Sequence, residues 1–326
     1  MKAIVIVQKA GQPSSLEYQT VADPVLQPTE LLVSVKAAGI NRIDLMRSTS
    51  HGTASAGEPQ IAGLEVAGEV IAVGADVHGF VIGDRIMAMT RSGYAELAAV
   101  DYRVAMKLPT SFSYDEGAAI ATVYPTAHDA LVVNGRFAAG KSVLIHGVSS
   151  AVGLATVQIA KALGAGIVIG TARSTGKAAM LAGFGLEHFV DLDSGDLTSE
   201  IMRLTSGKGV DVVVDMVGSG VLAANLACMA LGGYLVSVGR MGGTKDSIDL
   251  DLLALKRLSL IGVSFRMRSV EEKAALFARF REDIFPLFDA GLLRPHIERV
   301  YPLAQAEQAQ ADMASNCHFG KLILQP

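Results

Sequence analysis

Cysteine is nearly absent from this 326-residue chain, which has only Cys228 and Cys317. Two isolated thiols cannot build a four-cysteine zinc lobe, and they read as free thiols, not as a disulfide framework. Aromatic residues make up 6% of the chain and charged residues 18%. The net charge is −4, with both signs scattered along the sequence, which leaves no basic nucleic-acid arm and no polybasic membrane patch. No apolar run is long enough to span a bilayer. The apolar start, 1–7, stops at Gln8-Lys9 with no cleavage-type segment behind it, so it reads as a first strand and not an export signal. A cytoplasmic protein is expected. One further absence is local: there is no Asp or Glu from Ala130 to Leu186.

Half of the residues are hydrophobic and 34 are glycine, which suits an α/β enzyme with many tight turns. The most informative stretch runs from Ser142 to Lys177. It reads as a strand (142–146), a small-residue turn (147–153), a helix to Leu163, a second strand (166–170), and then Arg173 and Lys177. That is the layout of a dinucleotide-binding βαβ unit, whose turn brings backbone N–H groups and a helix N-terminus to a pyrophosphate. Apolar or small residues at 152, 155, 156, 159, 160 and 163 predict one buried helical stripe. The glycine fingerprint is incomplete: the usual register wants glycines at 148, 150 and 153, and the chain has Val148, Ser150 and Gly153. Such turns also join strands to helices for purely structural reasons. An NAD site usually carries an acid about 20 residues after the turn, to hold the ribose hydroxyls. Here Arg173 and Lys177 stand in that region, and two cations would pair with the 2′-phosphate of NADPH. The plainer alternative is a solvated loop with ordinary charges.

The rest of the chain divides by rhythm. Residues 1 to about 120 carry short strand patterns at 2–7, 16–19, 30–38, 68–73, 84–89 and 94–100, which predict a β-rich, barrel-like domain. Residues 114–131 read as mostly helical. From Lys141 strand and helix alternate: strands at 210–215, 234–239 and 259–265, and helices at 177–184, 197–205, 221–231 and 250–257. This alternation predicts a doubly wound parallel sheet. A long helix at 270–290, a helix at 304–314 and strands at 297–301 and 321–324 return the chain to the first domain. The expected domains are therefore 1–122 with 267–326, and 123–266. Strand ends at 215–218 and 239–243 are further candidates to face a ligand.

An ordered set of motifs then resembles a known family. Gly63-Leu64-Glu65-Val66-Ala67-Gly68, Gly83-Asp84-Arg85, Gly93-Tyr94-Ala95-Glu96, Thr126-Ala127, Gly232-Gly233 and Gly320-Lys321 resemble the medium-chain dehydrogenase/reductase superfamily. Gly39-Ile40-Asn41-Arg42-Ile43-Asp44 is similar to its zinc-free quinone oxidoreductase branch. The resemblance spans essentially the whole chain. It implies a Rossmann domain inserted in a split, GroES-like catalytic domain, with NADPH in the cleft between them. It also implies a homodimer formed through the strand from Ser259 to Phe265. Carried over by position, Asn41 and Thr126 are expected near the nicotinamide, and Gly147 with Ser149, Ser150, Ala151 and Val152 at the pyrophosphate. Arg173 and Lys177 are expected at the 2′-phosphate, and Val217, Gly239, Met241, Phe265 and Asn316 along the rest of the groove.

Zinc members of the superfamily have a Cys where Asn41 stands and a His where Leu64 stands, and neither residue here is a zinc ligand. No metal site is expected. Hydride transfer from NADPH to a quinone or an α,β-unsaturated carbonyl needs positioning more than acid–base power, helped by a donor to the developing oxyanion. Asn41, Tyr94, Tyr124 and Thr126 are the candidates. Each tyrosine has an equally simple reading as a core or rim aromatic with a satisfied hydroxyl, and His51 and His128 read as structural or exposed. Asp44 is expected to cap or orient the Asn41 loop. The chain departs from the family at Ala151, where glycine is usual, and in the loop 47–57, which lacks the usual Tyr and whose Ser/Thr/Gly composition suggests a mobile lid. The expected activity is NADPH-dependent reduction of quinones. An alkenal or enoyl reductase, and an NADPH-binding sensor or structural protein with little turnover, are the alternatives.

Overall fold

The computed structural model describes residues 1–8, 14–47, 59–173, 175–193 and 195–326. The loop expected to act as a lid, and His51 within it, lie outside the described residues from 48 onward. In chain order the strands are β1 (Lys2–Val7), β2 (Ser15–Thr20), β3 (Glu30–Gly39), β4 (Glu65–Val73), β5 (Arg85–Met89), β6 (Leu97–Asp101), β7 (Ala105–Lys107), β8 (Ser142–His146), β9 (Ile167–Ala172), β10 (His188–Asp191), β11 (Val210–Asp215), β12 (Met229–Ser237), β13 (Ser259–Gly262), β14 (Ile297–Pro302) and β15 (Lys321–Gln325). The helices are α1 (Arg42–Arg47), α2 (Tyr114–Ile120), α3 (Val123–His128), α4 (Ala151–Ala162), α5 (Ala178–Ala182), α6 (Leu197–Leu204), α7 (Leu222–Cys228), α8 (Leu250–Leu255), α9 (Val270–Asp289) and α10 (Ala306–Ala314). The chain forms two compact units. The first is Met1–Val123 with Val270–Phe277 and Pro295–Pro326, and the second is Tyr124–Ser269 with Ala278–Arg294.

The second unit holds a six-stranded sheet in the order β10-β9-β8-β11-β12-β13, every pairing parallel. The strand order turns back on itself between β8 and β11, and ligands in such sheets lie beyond the carboxyl ends at that point. Val143, Leu144, Ile145, Val212, Val213 and Val214 are fully buried, as expected of central strands covered on both faces. The first unit is β-rich. Its seven-stranded sheet runs β14-β15-β3-β4-β5-β7, with β6 as the seventh strand beside β3. Helix α2 packs against this sheet, started by a reciprocal capping box between Ser113 and Glu116.

Several boundaries differ from the sequence reading. The strand expected from Ser259 to Phe265 ends at Gly262, because its neighbour β12 ends at Ser237, the last residue it pairs with. The strand expected at 94–100 begins only at Leu97. Tyr94 and Ala95 are instead taken by β1, with Ile4 N–H donating to the Tyr94 carbonyl at 2.8 Å. Strand β10, the short strand β7 and helix α1 had no strong periodicity and were not expected. The single stripe expected on α4 is also corrected: Gly153 to Ala160 are buried all round, while Val152 and Leu163 are only half-buried. A helix apolar on every side is a core helix. The one long polar side chain on this stretch, Gln158, is satisfied inside the second unit, donating to Tyr124 Oη at 3.3 Å and accepting from Arg294 N–H at 2.7 Å.

Candidate active site

In the second unit the ends of β8, β9, β11 and β12 converge. The chain leaves β8 through Gly147, whose φ of +63° favours glycine, and enters α4 at Ser150. Ser150 Oγ caps the helix by accepting from Gly153 N–H at 3.1 Å. The first-turn N–H groups at Ala151 and Val152 have no intrahelical partner, as in every α-helix. A Cβ on Gly153 would stand 2.6 Å from the Val148 carbonyl oxygen, so only glycine lets α4 sit this close to the turn. The methyl of Ala151 is accommodated at the half-buried start of the helix.

Asp215, at the end of β11, organises the neighbouring loops. Its Oδ1 accepts from Val217 N–H at 2.7 Å and Gly218 N–H at 3.0 Å. Its carbonyl accepts from Val238 and Gly239 N–H groups. The Val217 carbonyl accepts from Gly242 N–H at 2.7 Å, and Ser150 Oγ lies 3.5 Å from Met216 Sδ. Gly147, Ser150, Val217, Gly239 and Met241 are thereby brought to one rim. Behind it His146 is fully buried, paired through Nδ1 with Thr171 Oγ1 at 2.7 Å and through Nε2 with Asn225 Oδ1 at 2.6 Å. Burial pushes its pKa down, against the pull of Asp215. The sequence reading passed over this hub, whose only signal was a polar residue closing an apolar strand.

Arg173 follows β9 and is exposed, and Lys177 is half-buried one turn later. Ser149 is half-buried in the turn. Phe265 lies beyond β13, with the Arg268 guanidinium 5.3 Å from its ring centroid. Tyr124 and Thr126 lie on α3. Tyr124 is buried against Phe288, and Thr126 is half-buried. The backbone then passes through a π-helical segment, Asp129–Asn134. The strand-end rim fits a dinucleotide: it offers a glycine turn, uncommitted helix N–H groups, small residues where bulk would clash, and the cations Arg173 and Lys177 just beyond β9.

The first unit contributes a buried polar cluster around Asn41. Asn41 Nδ2 donates to Glu65 Oε1 at 2.7 Å, and its Oδ1 accepts from Lys321 Nζ at 2.8 Å. Lys321 also pairs directly with Glu65, and both are almost wholly inaccessible. The other Glu65 oxygen accepts from Thr122 N–H at 2.7 Å. Gly39 makes room for the pair, since a Cβ there would stand 2.4 Å from Glu65 Oε1 and 2.7 Å from Lys321 Cε. The backbone N–H of Asn41 donates to Asp44 Oδ2 at 2.8 Å, which also accepts from the Tyr94 hydroxyl at 2.8 Å. Asp44 does orient the Asn41 loop. Tyr94 is fully buried, and its hydroxyl is committed to Asp44. Asn316 is exposed, at φ +60°, and accepts from the Arg42 guanidinium. Among the described residues, no group of three or more His, Cys, Asp or Glu side chains could hold a metal ion, and no helix is long and apolar enough to cross a membrane.

Burial raises the Asp44 pKa from its ordinary 3.8 to about 6, against the lowering effects of the Asn41 N–H, the Tyr94 hydroxyl and Lys321. At low pH Asp44 is protonated in both folded and unfolded chains, and its full contribution to stability is present. As pH rises from 3.8 through about 6 the unfolded chain loses this proton first, and stability falls by about 3 kcal/mol. Asp44→Asn keeps an acceptor oxygen and is expected to flatten that fall. Urea unfolding of both proteins at about pH 4 and about pH 7 measures it; parallel curves would refute the assignment.

Two family models match the chain: "Alcohol dehydrogenase GroES-like domain" over residues 27–133 and "Zinc-binding dehydrogenase" over 151–279. The chain is 33% identical to a quinone oxidoreductase of Rattus norvegicus over 328 residues, covering 99% of this chain and 97% of that one. It is 30% identical to a reducing polyketide synthase of Hypomyces subiculosus, covering 92% of this chain and 13% of that much longer protein. A mycobacterial protein solved in complex with NADPH superposes with a TM-score of 0.89 at 28% identity, covering both chains fully. With this fold and these similarities, the chain belongs to the quinone oxidoreductase-like, NAD(P)H-dependent reductases of the medium-chain dehydrogenase/reductase superfamily.

Proposed function

We propose that this chain is an NADPH-dependent, zinc-independent reductase of quinones or related electron-poor carbonyl compounds. The observation that carries the reading is the strand-end rim of Gly147–Gly153, Val217 and Gly239–Met241, with Arg173 exposed at the end of β9 and Lys177 one turn on. The bound NADPH supplies a hydride. Ser149, Ala151 and Val152 hold the pyrophosphate with backbone N–H groups and the positive end of α4, and Ser150, whose own N–H donates to the Gly147 carbonyl at 3.0 Å, closes the turn beside them. Arg173 and Lys177 take the 2′-phosphate, and Val217, Gly239, Met241, Phe265 and Asn316 flank the remainder. In the second unit Thr126 would border the nicotinamide, and in the first unit the Asn41 carboxamide would donate to the substrate oxygen as negative charge develops there. Tyr94 acts from behind, through Asp44, whereas Tyr124 is a core aromatic whose hydroxyl accepts from Gln158. The first unit serves as the substrate domain and the second as the nucleotide domain, in a cytoplasmic enzyme.

The reading is tested by NADPH oxidation against a panel of ortho- and para-quinones and 2-alkenals. Turnover with quinones and none with alkenals is the expected result. The reverse establishes an alkenal or enoyl reductase. Tight NADPH binding without oxidation by any member makes it a binding protein and ends the catalytic reading. A homodimer through β13 completes the proposal. This is an edge strand of the sheet, and Leu260 on it, with Leu250, Leu255 and Met267 in the flanking segments, is exposed. Leu260→Asp is expected to yield monomers in sedimentation analysis; an unchanged sedimentation coefficient would place the contact elsewhere.

A further inference from the structure

We propose that Lys321 and Glu65 are positioning residues that lock the Asn41 carboxamide in one orientation and leave it one N–H to offer a substrate oxygen. The inference rests on the proposed placement of Asn41 at the reacting centre. Its basis is the donor inventory of the cluster. An ammonium only donates, so the Asn41 atom 2.8 Å from Lys321 Nζ is the carbonyl oxygen. A carboxylate only accepts, so the atom 2.7 Å from Glu65 Oε1 is the amide nitrogen. The two ends of the ion pair thus grip the two ends of one carboxamide, and a flip of the amide would set donor against donor and acceptor against acceptor.

The rest of the cluster makes this arrangement rigid. Thr122 N–H holds the far oxygen of Glu65, and Asp44 holds the Asn41 backbone N–H. Glu65 and Lys321 are both withdrawn from water, so neither has a solvated alternative. What is left of Asn41 is its second Nδ2 hydrogen, engaged only loosely by the Gly39 carbonyl at 3.4 Å. The Lys321 ammonium at Oδ1 polarises the amide and strengthens that remaining donor. Asp44 and Tyr94 lie on the backbone side of Asn41 and leave the carboxamide to Lys321 and Glu65.

The test is a comparison of backgrounds, using the neutral pair Lys321→Met with Glu65→Gln, which leaves no unpaired buried charge. In the otherwise unchanged enzyme the pair is expected to lower kcat for a quinone about 10- to 100-fold, with the NADPH dissociation constant nearly unmoved. In an Asn41→Ala background the same pair is expected to cost kcat almost nothing more. Losses that multiply across the two backgrounds, or a loss of NADPH binding matching the loss of kcat, would overturn the inference. A readout without turnover is the Asn41 side-chain amide in ¹⁵N-labelled protein. Its two Nδ2 protons are expected to exchange slowly with solvent in the wild type and faster in Glu65→Gln; rapid solvent exchange in the wild type overturns the lock. A wild type inactive on the whole substrate panel but showing the slow resonances refutes the functional reading and leaves the lock standing.

Discussion

Lys321→Met alone should destabilise the protein by about 3–5 kcal/mol, because it leaves the Glu65 carboxylate buried without its partner. Glu65 would keep hydrogen bonds from Asn41 and Thr122, but neither supplies a charge. The pair itself is a poor source of net stability, since two ions were desolvated to form it. Removing one end is therefore far worse than removing both: Lys321→Met with Glu65→Gln should recover most of the loss. Thermal unfolding checks this as a drop in midpoint on the order of 10 °C for the single variant, with the double variant close to wild type. Equal drops for the two would show that Lys321 contributes by packing its carbon chain and not by its charge.

Arg173→Glu should raise the NADPH dissociation constant about 100-fold and leave that of NADH nearly unchanged. The arithmetic is a lost charge-assisted contact plus a new repulsion with the 2′-phosphate, together about 3 kcal/mol. Arg173 is exposed, so the substitution disturbs no packing. Titration with each cofactor measures both constants. Equal weakening for NADPH and NADH would remove the 2′-phosphate from Arg173. Raising the salt concentration should narrow the NADPH preference of the wild type more than that of the variant.

The parts of the fold legible in the sequence were those where local pattern and tertiary environment agree. Strand β11 was read with its observed ends because Val212, Val213 and Val214 form a short β-branched run that ends on an acid. Strand β10 escaped because His188-Phe189-Val190-Asp191 is too short to carry a period. Helix α4 was read as amphipathic although it is a core helix, because polar Gln158, off the expected stripe, imitates a solvent face. In the structure Thr156 bonds back to the Val152 carbonyl, and Gln158 bonds to Tyr124 and Arg294. At the candidate site, motif order located Asn41 and the turn. The partners of Asn41 lie 24 and 280 residues away, a relation that no local window contains.

That separation bears on the life of the nascent polypeptide. Glu65 leaves the ribosome 256 residues ahead of Lys321, an interval of roughly 10–50 s at ordinary rates of synthesis. During it the whole second unit emerges as one nearly continuous segment and is free to fold. The first unit must wait, its sheet lacking β15 and its buried carboxylate without a counter-ion. Its closure is set by the arrival of the chain's last strand, which makes that interval the window in which a chaperone would find the protein exposed.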